Sequence, residues 1–293
     1  MDRVGGLDLG GSKIEARLFA PDWRCLETRR WPTPPAYGAL LDALEGAHAW
    51  LRSGGAGRIG LAHPGIVSPV TGRVSAANLA IHGRPFASDL HARLGRPVAH
   101  LNDAQAMALS EARLGAGRGM DPVAGLIVGT GLSAGLVSGG RALGGWRGAA
   151  GEIGHTPLPA ALVARHDLPL VECGCGAAGC YETLGSGGGL ERLGRHLTGR
   201  SLGARDWAAN AGVLDVWADI LGALCRTMCR VWDPQVIVLG GGASRTPQLD
   251  SLLAAKIADD PLGAGALPEI RLAQGNDASG ARGAALHAAD ETE

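Results

Sequence analysis

Lysine is almost absent from this sequence of 293 residues, and no part of it forms a basic stripe. Lysine and arginine together number 27, against 28 aspartates and glutamates, so the formal net charge is −1. A protein that holds nucleic acid by its phosphates needs a basic face. The composition therefore predicts no nucleic-acid partner. The two lysines are Lys13 and Lys256, and Lys13 stands out because it lies in a glycine-rich loop.

Targeting signals and long apolar runs are also missing. The N-terminus has no signal-peptide pattern, and the one uncharged stretch, residues 122–140, is rich in glycine and alternates like a strand hairpin. Because that stretch is no candidate membrane helix, we expect a cytoplasmic protein without a membrane partner. Disulfides are rare in the cytoplasm, so the six cysteines are expected to be reduced or metal-bound.

Strands and helices alternate along the chain, which predicts an α/β fold. Residues 4–9 and 14–19 predict a hairpin, and residues 125–129 and 133–137 predict a second one. Gly6, Leu7 and Gly10 align with Gly125, Leu126 and Gly129, which indicates a weak internal repeat. Further buried strands are predicted at residues 58–62, 97–101 and 236–239, and helices at 37–51, 104–114, 211–231 and 280–289.

Four glycine-rich loops follow strands and suit phosphate binding, at residues 10–13, 129–131, 144–145 and 240–242. Each alone is as well explained by a tight turn. Two familiar phosphate-binding motifs do not match this sequence. In a P-loop the lysine precedes the serine or threonine, whereas here Ser12 precedes Lys13. In the dinucleotide-binding fingerprint a helix follows the glycine turn, whereas here a strand follows it. What remains is a hairpin phosphate loop with Asp8 two residues before it, a carboxylate suited to Mg²⁺.

Asp103 lies where a predicted strand gives way to a predicted helix. Aspartate is a favoured helix N-cap, and a carboxylate at that place is also suited to accept a proton from a sugar hydroxyl. Both interpretations stay open, and they are compatible.

A group of one histidine and three cysteines predicts a metal site. The group comprises His155, Cys173, Cys175 and Cys180. One histidine and three thiolates complete a tetrahedral set for structural Zn²⁺, whereas core cysteines or a redox pair are the alternatives. Glu152 and Glu182 flank the group and could accept hydrogen bonds from sugar hydroxyls.

Motifs along essentially the whole chain resemble those of the ROK (repressor, open reading frame, kinase) family. They lie, in order, at residues 7–13, 63–65, 102–104, 129–131, 151–155, 173–182, 239–242 and 279–285. The resemblance implies an actin-like ATPase (ribonuclease H-like) fold of two domains, with ATP and sugar in the interdomain cleft. It implies a smaller domain at residues 1–116, with the helix at about 280–293 packing back on it, and a larger domain with the zinc knot at residues 117–279.

The resemblance also assigns roles. Phosphates and Mg²⁺ would meet Asp8, Gly10, Gly11, Ser12, Lys13, Gly129, Thr130 and Gly131, and the adenosine would lie near Gly240, Gly241 and Gly242. Asp103 would be the catalytic base. The sugar would be bound by Gly65, Asn78, Asn102, Asp103, Glu152, His155 and Glu182. His155 would also ligate Zn²⁺ through its other ring nitrogen, together with Cys173, Cys175 and Cys180.

Within the family, the chain looks most like bacterial N-acetylglucosamine kinases, on the evidence of residues 32–34, the turn at 75–78 and the long segment between 155 and 173. We therefore expect ATP-dependent phosphorylation of N-acetylglucosamine at its 6-hydroxyl, with a fructokinase or glucokinase as alternatives. The segment after Asn78 lacks the tryptophan frequent in glucokinases of the family. Leu79 or Ile81 could line the space that this leaves for an acetamido group.

Two departures from the family pattern concern the phosphate loops: Ser12 replaces the usual threonine, and residues 132–134 hold less glycine than usual. A sugar-sensing transcriptional repressor is the rival of another class, but Asp8 comes too early for a helix-turn-helix ahead of it. A sugar-binding pseudokinase is a second rival, and it is opposed by the presence of Asp8, Lys13, Thr130 and Asp103. A homodimer is the default expectation for a soluble enzyme.

Overall fold

The computed structural model describes residues 2–76, 79–258, 262 and 266–291, apart from the side chain of residue 276. Its strands are β1 (Arg3–Leu9), β2 (Lys13–Phe19), β3 (Cys25–Pro32), β4 (Ala56–His63), β5 (Ile66–Val67), β6 (Val74–Ser75), β7 (Ala99–Asn102), β8 (Val123–Val128), β9 (Leu132–Ser138), β10 (Arg141–Ala142), β11 (Val236–Gly240) and β12 (Glu269–Leu272). Its helices are α1 (Tyr37–Ser53), α2 (Phe86–Leu94), α3 (Asp103–Leu114), α4 (Ala160–His166), α5 (Tyr181–Gly185), α6 (Gly187–Thr198), α7 (Ala204–Ala208), α8 (Ala211–Trp232), α9 (Leu249–Ile257) and α10 (Ser279–Asp290). None of these described helices is long and apolar enough to cross a membrane.

The chain divides into two compact units. Unit 1 comprises residues 1–111, 140–150 and 277–293, and unit 2 comprises residues 112–139 and 151–276. Residues 140–150 thus fall in unit 1, whereas the division predicted from the sequence puts them in the second domain. These eleven residues lie between two segments of unit 2, and no change in amino-acid composition marks either end of them.

Unit 1 is built on a sheet with the strand order β3-β2-β1-β4-β7. The β1–β2 and β2–β3 pairs are antiparallel, and β1–β4 and β4–β7 are parallel. α10 packs closely on β1 and β4 because Gly6 and Gly60 have no side chains. A Cβ at either glycine would overlap the backbone carbonyl of Ala281 or Ala284. The core between the sheet and α1 is made mainly of leucines.

Unit 2 contains the strands β9-β8-β11-β12 in that order, with β8–β9 antiparallel and the other pairs parallel. This order matches β2-β1-β4-β7 of unit 1, so the internal repeat predicted from the sequence is confirmed. α8 is the longest helix of unit 2, and Asn210 caps its N-terminus by accepting a hydrogen bond from the amide of Val213 at 3.1 Å. Trp207 and Trp217 are fully buried in the same core.

The predicted elements are present with small shifts at their ends. The pattern of residues 14–19 predicts a strand but does not indicate the environment of Glu15. Glu15 is 1% exposed, like its apolar neighbours Ile14 and Ala16. The reason is that arginines of neighbouring positions surround its carboxylate, as described below.

Candidate active site

The turn of the first hairpin is fixed by backbone hydrogen bonds and by one threonine. The amide of Gly10 donates to the carbonyl of Lys13 at 2.9 Å, which closes the turn. Thr33 donates two further hydrogen bonds to the turn. Its amide donates to the carbonyl of Ser12 at 3.1 Å, and its hydroxyl donates to the carbonyl of Gly10 at 2.7 Å. A Cβ built on Gly11 would meet no atom within 4 Å. The turn is therefore rigid on one side and open on the other, as a phosphate cradle must be.

Asp8 sits beside this turn in an environment that disfavours its charge. Burial, followed by the negative charges of Asp103 and Glu15, raises the pKa of Asp8 to about 7, although Lys13 opposes the shift. The first turn of α10 approaches so closely that a Cβ on Gly280 would overlap the Asp8 carboxylate. A carboxyl with such surroundings fits a divalent cation, which would offset the repulsion between the acids.

A charge network beside the turn was not predicted from the sequence. Glu15 accepts hydrogen bonds from the Nε atoms of Arg17 and Arg30, each at 2.6 Å, and the Nζ of Lys13 lies 3.6 Å away. The Nζ of Lys13 also lies 3.1 Å from Asp277, which precedes α10. The available signal was a glutamate in the middle of an otherwise buried strand. Asp277, the second partner of Lys13, lies 264 residues away along the chain and left no such signal.

Asp103 is the first residue of α3, directly after β7. Asn102 caps the helix: its Oδ1 accepts from the amide of Ala104 at 2.9 Å, and Oδ1 of Asp103 accepts from the same amide at 2.9 Å. The Nδ2 of Asn102 donates to the carbonyl of Gly65 at 3.3 Å. Gly65 has a φ of +91°, and a Cβ there would overlap the carbonyl of Ser75. Gly65, Asn102 and Asp103 thus meet at the carboxyl ends of the parallel strands β4 and β7.

An open pocket of about 570 Å³ adjoins the first turn. Its lining is polar and apolar in about equal parts and comprises Gly11, Thr33, Pro34, Pro35, Ala76, Leu79, Ala80 and His82. Of the two residues expected to border an acetamido group, Leu79 lines this pocket, but Ile81 does not. Ile81 is 0% exposed and packs in the core of unit 1. Asn78, a predicted sugar ligand, lies outside the described residues.

In unit 2, two predicted loops come together at the ends of β8 and β11. The amide of Gly129 donates to the carbonyl of Gly131 at 3.0 Å, and Thr130 is exposed. Gly241, with a φ of +87°, packs on this turn, where a Cβ would lie 3.1 Å from the Gly129 amide nitrogen. Gly240 is the last residue of β11, and Gly242 follows in open space. The loop at residues 144–145 does not join them and belongs to unit 1.

A further segment meets the same turn and was missed by the sequence analysis. The amide of Gly187, at the start of α6, donates to the carbonyl of Gly129 at 2.7 Å. Ser186 caps this helix, because its Oγ accepts from the amide of Gly189 at 3.1 Å. Three consecutive glycines at a helix start were the available signal, but helix starts with small residues are common without any ligand.

The four predicted metal ligands lie together in unit 2. Their ligand atoms all lie within 4.8 Å of one another. The Nδ1 of His155 is 3.4 Å from the Sγ of Cys173, and the Sγ atoms of Cys175 and Cys180 are 3.6 Å apart. With Zn–S bonds of about 2.3 Å, the edge of a tetrahedron is about 3.8 Å. These four side chains could therefore hold a tetrahedral Zn²⁺ ion with little movement.

The two predicted sugar-binding glutamates flank this group. The Nε2 of His155, the nitrogen that faces away from the cysteines, lies 3.6 Å from Glu152. Burial is the main cause that raises the pKa of Glu152; His155 lowers it, and the charge of Glu182 adds to the rise. Glu182 accepts a hydrogen bond from the amide of Leu132 at 2.9 Å. One oxygen of Glu182 is thus tied to the second hairpin.

The two sheets have the same strand order, and each contains a hairpin whose turn is rich in glycine. This arrangement defines an actin-like ATPase fold. The chain belongs to the ROK family, whose family model matches residues 4–291. It is 38% identical to the N-acetylgalactosamine kinase AgaK of Shewanella sp., over 96% of this chain and 95% of that protein. It is also 38% identical to an N-acetyl-D-glucosamine kinase of Pectobacterium atrosepticum, over 96% and 97% of the two chains.

Among solved structures, a ROK family glucokinase from Streptomyces griseus in complex with glucose and AMPPNP is similar. It superposes with a TM-score of 0.79 at 26% identity, and the match covers 99% of this chain and 100% of that one. The predicted family and fold are therefore confirmed.

Proposed function

We propose that this ROK-family sugar kinase transfers the γ-phosphoryl group of ATP to the 6-hydroxyl of an N-acetylated hexosamine, with N-acetylglucosamine as the preferred substrate. Two relatives that are 38% identical over almost their full lengths act on N-acetylated hexosamines by name. N-acetylgalactosamine is therefore a second candidate substrate, since one of them is named for it.

The observation that carries the choice of an acetylated sugar is a group of apolar side chains on the wall of the pocket beside the first turn. An acetamido methyl needs apolar contact, whereas the hydroxyl of glucose at the same position needs hydrogen-bonding groups. Ala76, Leu79 and Ala80 supply such a wall, and Pro34 and Pro35 extend it. The volume of about 570 Å³ is within the usual range for small-molecule sites.

In this proposal Asp103 accepts the proton of the 6-hydroxyl as the oxygen attacks phosphorus. Its place at the start of α3 supports the role, because the helix dipole favours the ionised carboxylate. Asp8 would hold Mg²⁺ that accompanies the nucleotide, and Mg²⁺ would neutralise charge on the phosphates. The turns at residues 10–13 and 129–131 would cradle phosphate through their amides, and residues 240–242 would contact the adenosine.

We also propose that His155, Cys173, Cys175 and Cys180 hold one structural Zn²⁺. All four ligand positions would be filled by protein atoms, so the ion would leave no site for chemistry. Its role would be to orient the side chains around it. His155 would be fixed so that its Nε2 meets the sugar, and Glu152 would be held beside it.

An ATP-coupled assay with a panel of sugars tests the substrate. The panel contains N-acetylglucosamine, N-acetylgalactosamine, N-acetylmannosamine, glucose, mannose and fructose. We expect N-acetylglucosamine to give the highest kcat/KM. If glucose or fructose leads, the acetylated-sugar proposal is wrong and the kinase assignment stands; if no sugar is phosphorylated, the kinase assignment itself fails.

A pocket variant sharpens this test. Leu79→Trp should lower kcat/KM for N-acetylglucosamine by about 10–100-fold and change that for glucose by less than about threefold, because the indole would fill the methyl space. Val70→Trp is the matched control, since Val70 is 89% exposed in the same unit. Equal losses for both sugars would count against this pocket as the acetamido site.

A further inference from the structure

A pair of histidines in unit 1, one buried and one partly buried, lies on the neighbouring strands β4 and β7 and has no role in the function proposed above. His63 is the last residue of β4 and is 1% exposed. Its Nδ1 lies 3.0 Å from the carbonyl oxygen of Pro64, and its Nε2 lies 3.2 Å from the Nδ1 of His100 on β7. Phe86 packs edge-on against the His63 ring at 5.6 Å.

The partners of the two rings fix where their protons are. A carbonyl oxygen only accepts, so Nδ1 of His63 must carry the hydrogen. Burial is the main cause that lowers the pKa of His63 to about 4, and burial followed by the charge of His287 also lowers the pKa of His100. Both rings are therefore neutral near pH 7, Nε2 of His63 accepts, and Nδ1 of His100 donates to it.

A short series of contacts joins this pair to Asp103. His63 lies opposite Asn102 in the β4–β7 ladder. The Nδ1 of His63 donates to the carbonyl of Pro64. The carbonyl of the next residue, Gly65, accepts a hydrogen bond from the Nδ2 of Asn102 at 3.3 Å. Asn102 and Asp103 accept from the same amide, that of Ala104. A change in the histidine pair thus reaches the base through two backbone carbonyls and one amide side chain.

A cavity borders the pair, so that packing contacts surround the two rings only in part. The cavity measures about 330 Å³ and is lined by His63, His100, Gly65, Asn102, Gln105 and His287, among others. Positioning to within a fraction of an ångström requires directional contacts, which the hydrogen bonds of the pair supply.

We propose that His63 and His100 are positioning residues, which act as a hydrogen-bonded pair to hold the Pro64–Gly65 turn, and through Asn102 the base Asp103, in place for the sugar hydroxyl. This proposal rests on the role of Asp103 in the proposed function. It concerns two residues that touch neither substrate in that function, so their effect should appear in kcat rather than in nucleotide binding.

The test begins with two substitutions of His100. His100→Phe keeps an aromatic ring but removes the donor to His63, and we expect kcat to fall about tenfold while KM for ATP stays within about twofold. His100→Asn places an amide N–H where Nδ1 donates, so it should restore most of kcat. A wild-type kcat for His100→Phe, or no recovery in His100→Asn, would overturn the proposal.

A double-mutant cycle separates positioning of the base from a general loss of structure. In an Asp103→Asn background, His100→Phe should cause little further loss of kcat, because the group that it positions is gone. A full tenfold further loss would show that the pair does not act through Asp103. If Asp103→Asn itself retains turnover, the role of the base is wrong, whereas the kcat effect of His100→Phe can still be read.

His63→Phe should reproduce the loss of kcat seen in His100→Phe. If His63→Phe fails to fold because His63 is buried, the substitutions at the partly buried His100 still test the proposal. His48→Phe is the matched control. His48 is 8% exposed in the same unit, and burial lowers its pKa as well, but it lies on α1 and none of its described contacts involves the proposed site. Its kcat should equal that of the wild type.

Discussion

The two hairpins that open the two units share an architecture and differ in charge. In unit 1 the strands around the turn carry Asp8, Lys13 and Glu15, and the network extends to Asp277. In unit 2, Ile127 stands where Asp8 stands in unit 1, and the turn at residues 129–131 has no charged side chain. The same backbone design thus supplies amide donors twice, but the hairpin itself carries charged side chains only in unit 1; at the second hairpin the carboxylate of Glu182 comes from α5.

The difference indicates a division of labour. Backbone amides suffice to hold phosphate oxygens that keep their charge, which is the role proposed for the turn of unit 2. A metal ion and a moving proton require side chains that ionise, and Asp8 and Asp103, the residues proposed for these roles, both belong to unit 1. The predictions below test this contrast, beginning with the largest expected effect.

Asp103 should be the most sensitive position of unit 1. Asp103→Asn keeps the shape and the hydrogen bond to the Ala104 amide but cannot accept the hydroxyl proton, so kcat should fall by about 10²–10⁴. Steady-state assays at saturating sugar and ATP measure it. Asp22→Asn, an exposed turn residue of the same unit, is the control. Near-wild-type turnover by a folded Asp103→Asn variant would mean that Asp103 is not the catalytic base.

The hairpins can be compared directly by one substitution in each. Asp8→Asn should lower kcat/KM for ATP by about 10²–10³, because a cation site loses its charge. Thr130→Val, in the neutral turn, should lower it by about tenfold or less, since one hydroxyl hydrogen bond is lost. Both are measured over a range of Mg²⁺ concentrations. Equal losses would mean that charge does not distinguish the two turns.

The sequence predicted the two hairpins and their repeat because glycine turns between strands leave a local pattern. It also predicted the metal group, since three cysteines within eight residues are a local pattern too. It did not predict the burial of Glu15, because one of the ion pairs that make burial tolerable comes from Arg30 on β3, whose pairing with β2 has no local signal. The orientation of Ile81 was likewise set by packing, which a loop sequence does not reveal.

The metal group is the part of unit 2 that should affect the sugar. Cys175→Ser should abolish zinc binding and raise KM for the sugar about tenfold, with KM for ATP within twofold, because the proposed ion would orient His155 and Glu152. Elemental analysis and kinetics on protein purified without chelator measure this. Cys25→Ser, at an exposed cysteine outside the group, is the control. Wild-type protein without zinc would contradict the prediction.

The smallest effect concerns stability and pH. The pKa of Asp8 is about 7 in the fold against 3.8 as the reference value. Folding therefore favours the protonated carboxyl, and its contribution to stability, full below pH 4, is lost as pH rises towards 7. Asp8→Asn should exceed the Tm of the wild type by about 2–6 °C at pH 8 without Mg²⁺, and by a smaller margin at pH 5, where part of the contribution remains. Thermal unfolding at the two pH values measures this, and a pH-independent difference would contradict it.

The most direct test of the central claim is to identify the product. The protein is incubated with ATP, Mg²⁺ and N-acetylglucosamine, and phosphorus and proton NMR locate the new phosphate ester. The account predicts ADP and N-acetylglucosamine 6-phosphate in equal amounts, and no ADP above background when the sugar is omitted. ADP formation that is independent of sugar, or a phosphate on a different oxygen, would contradict it.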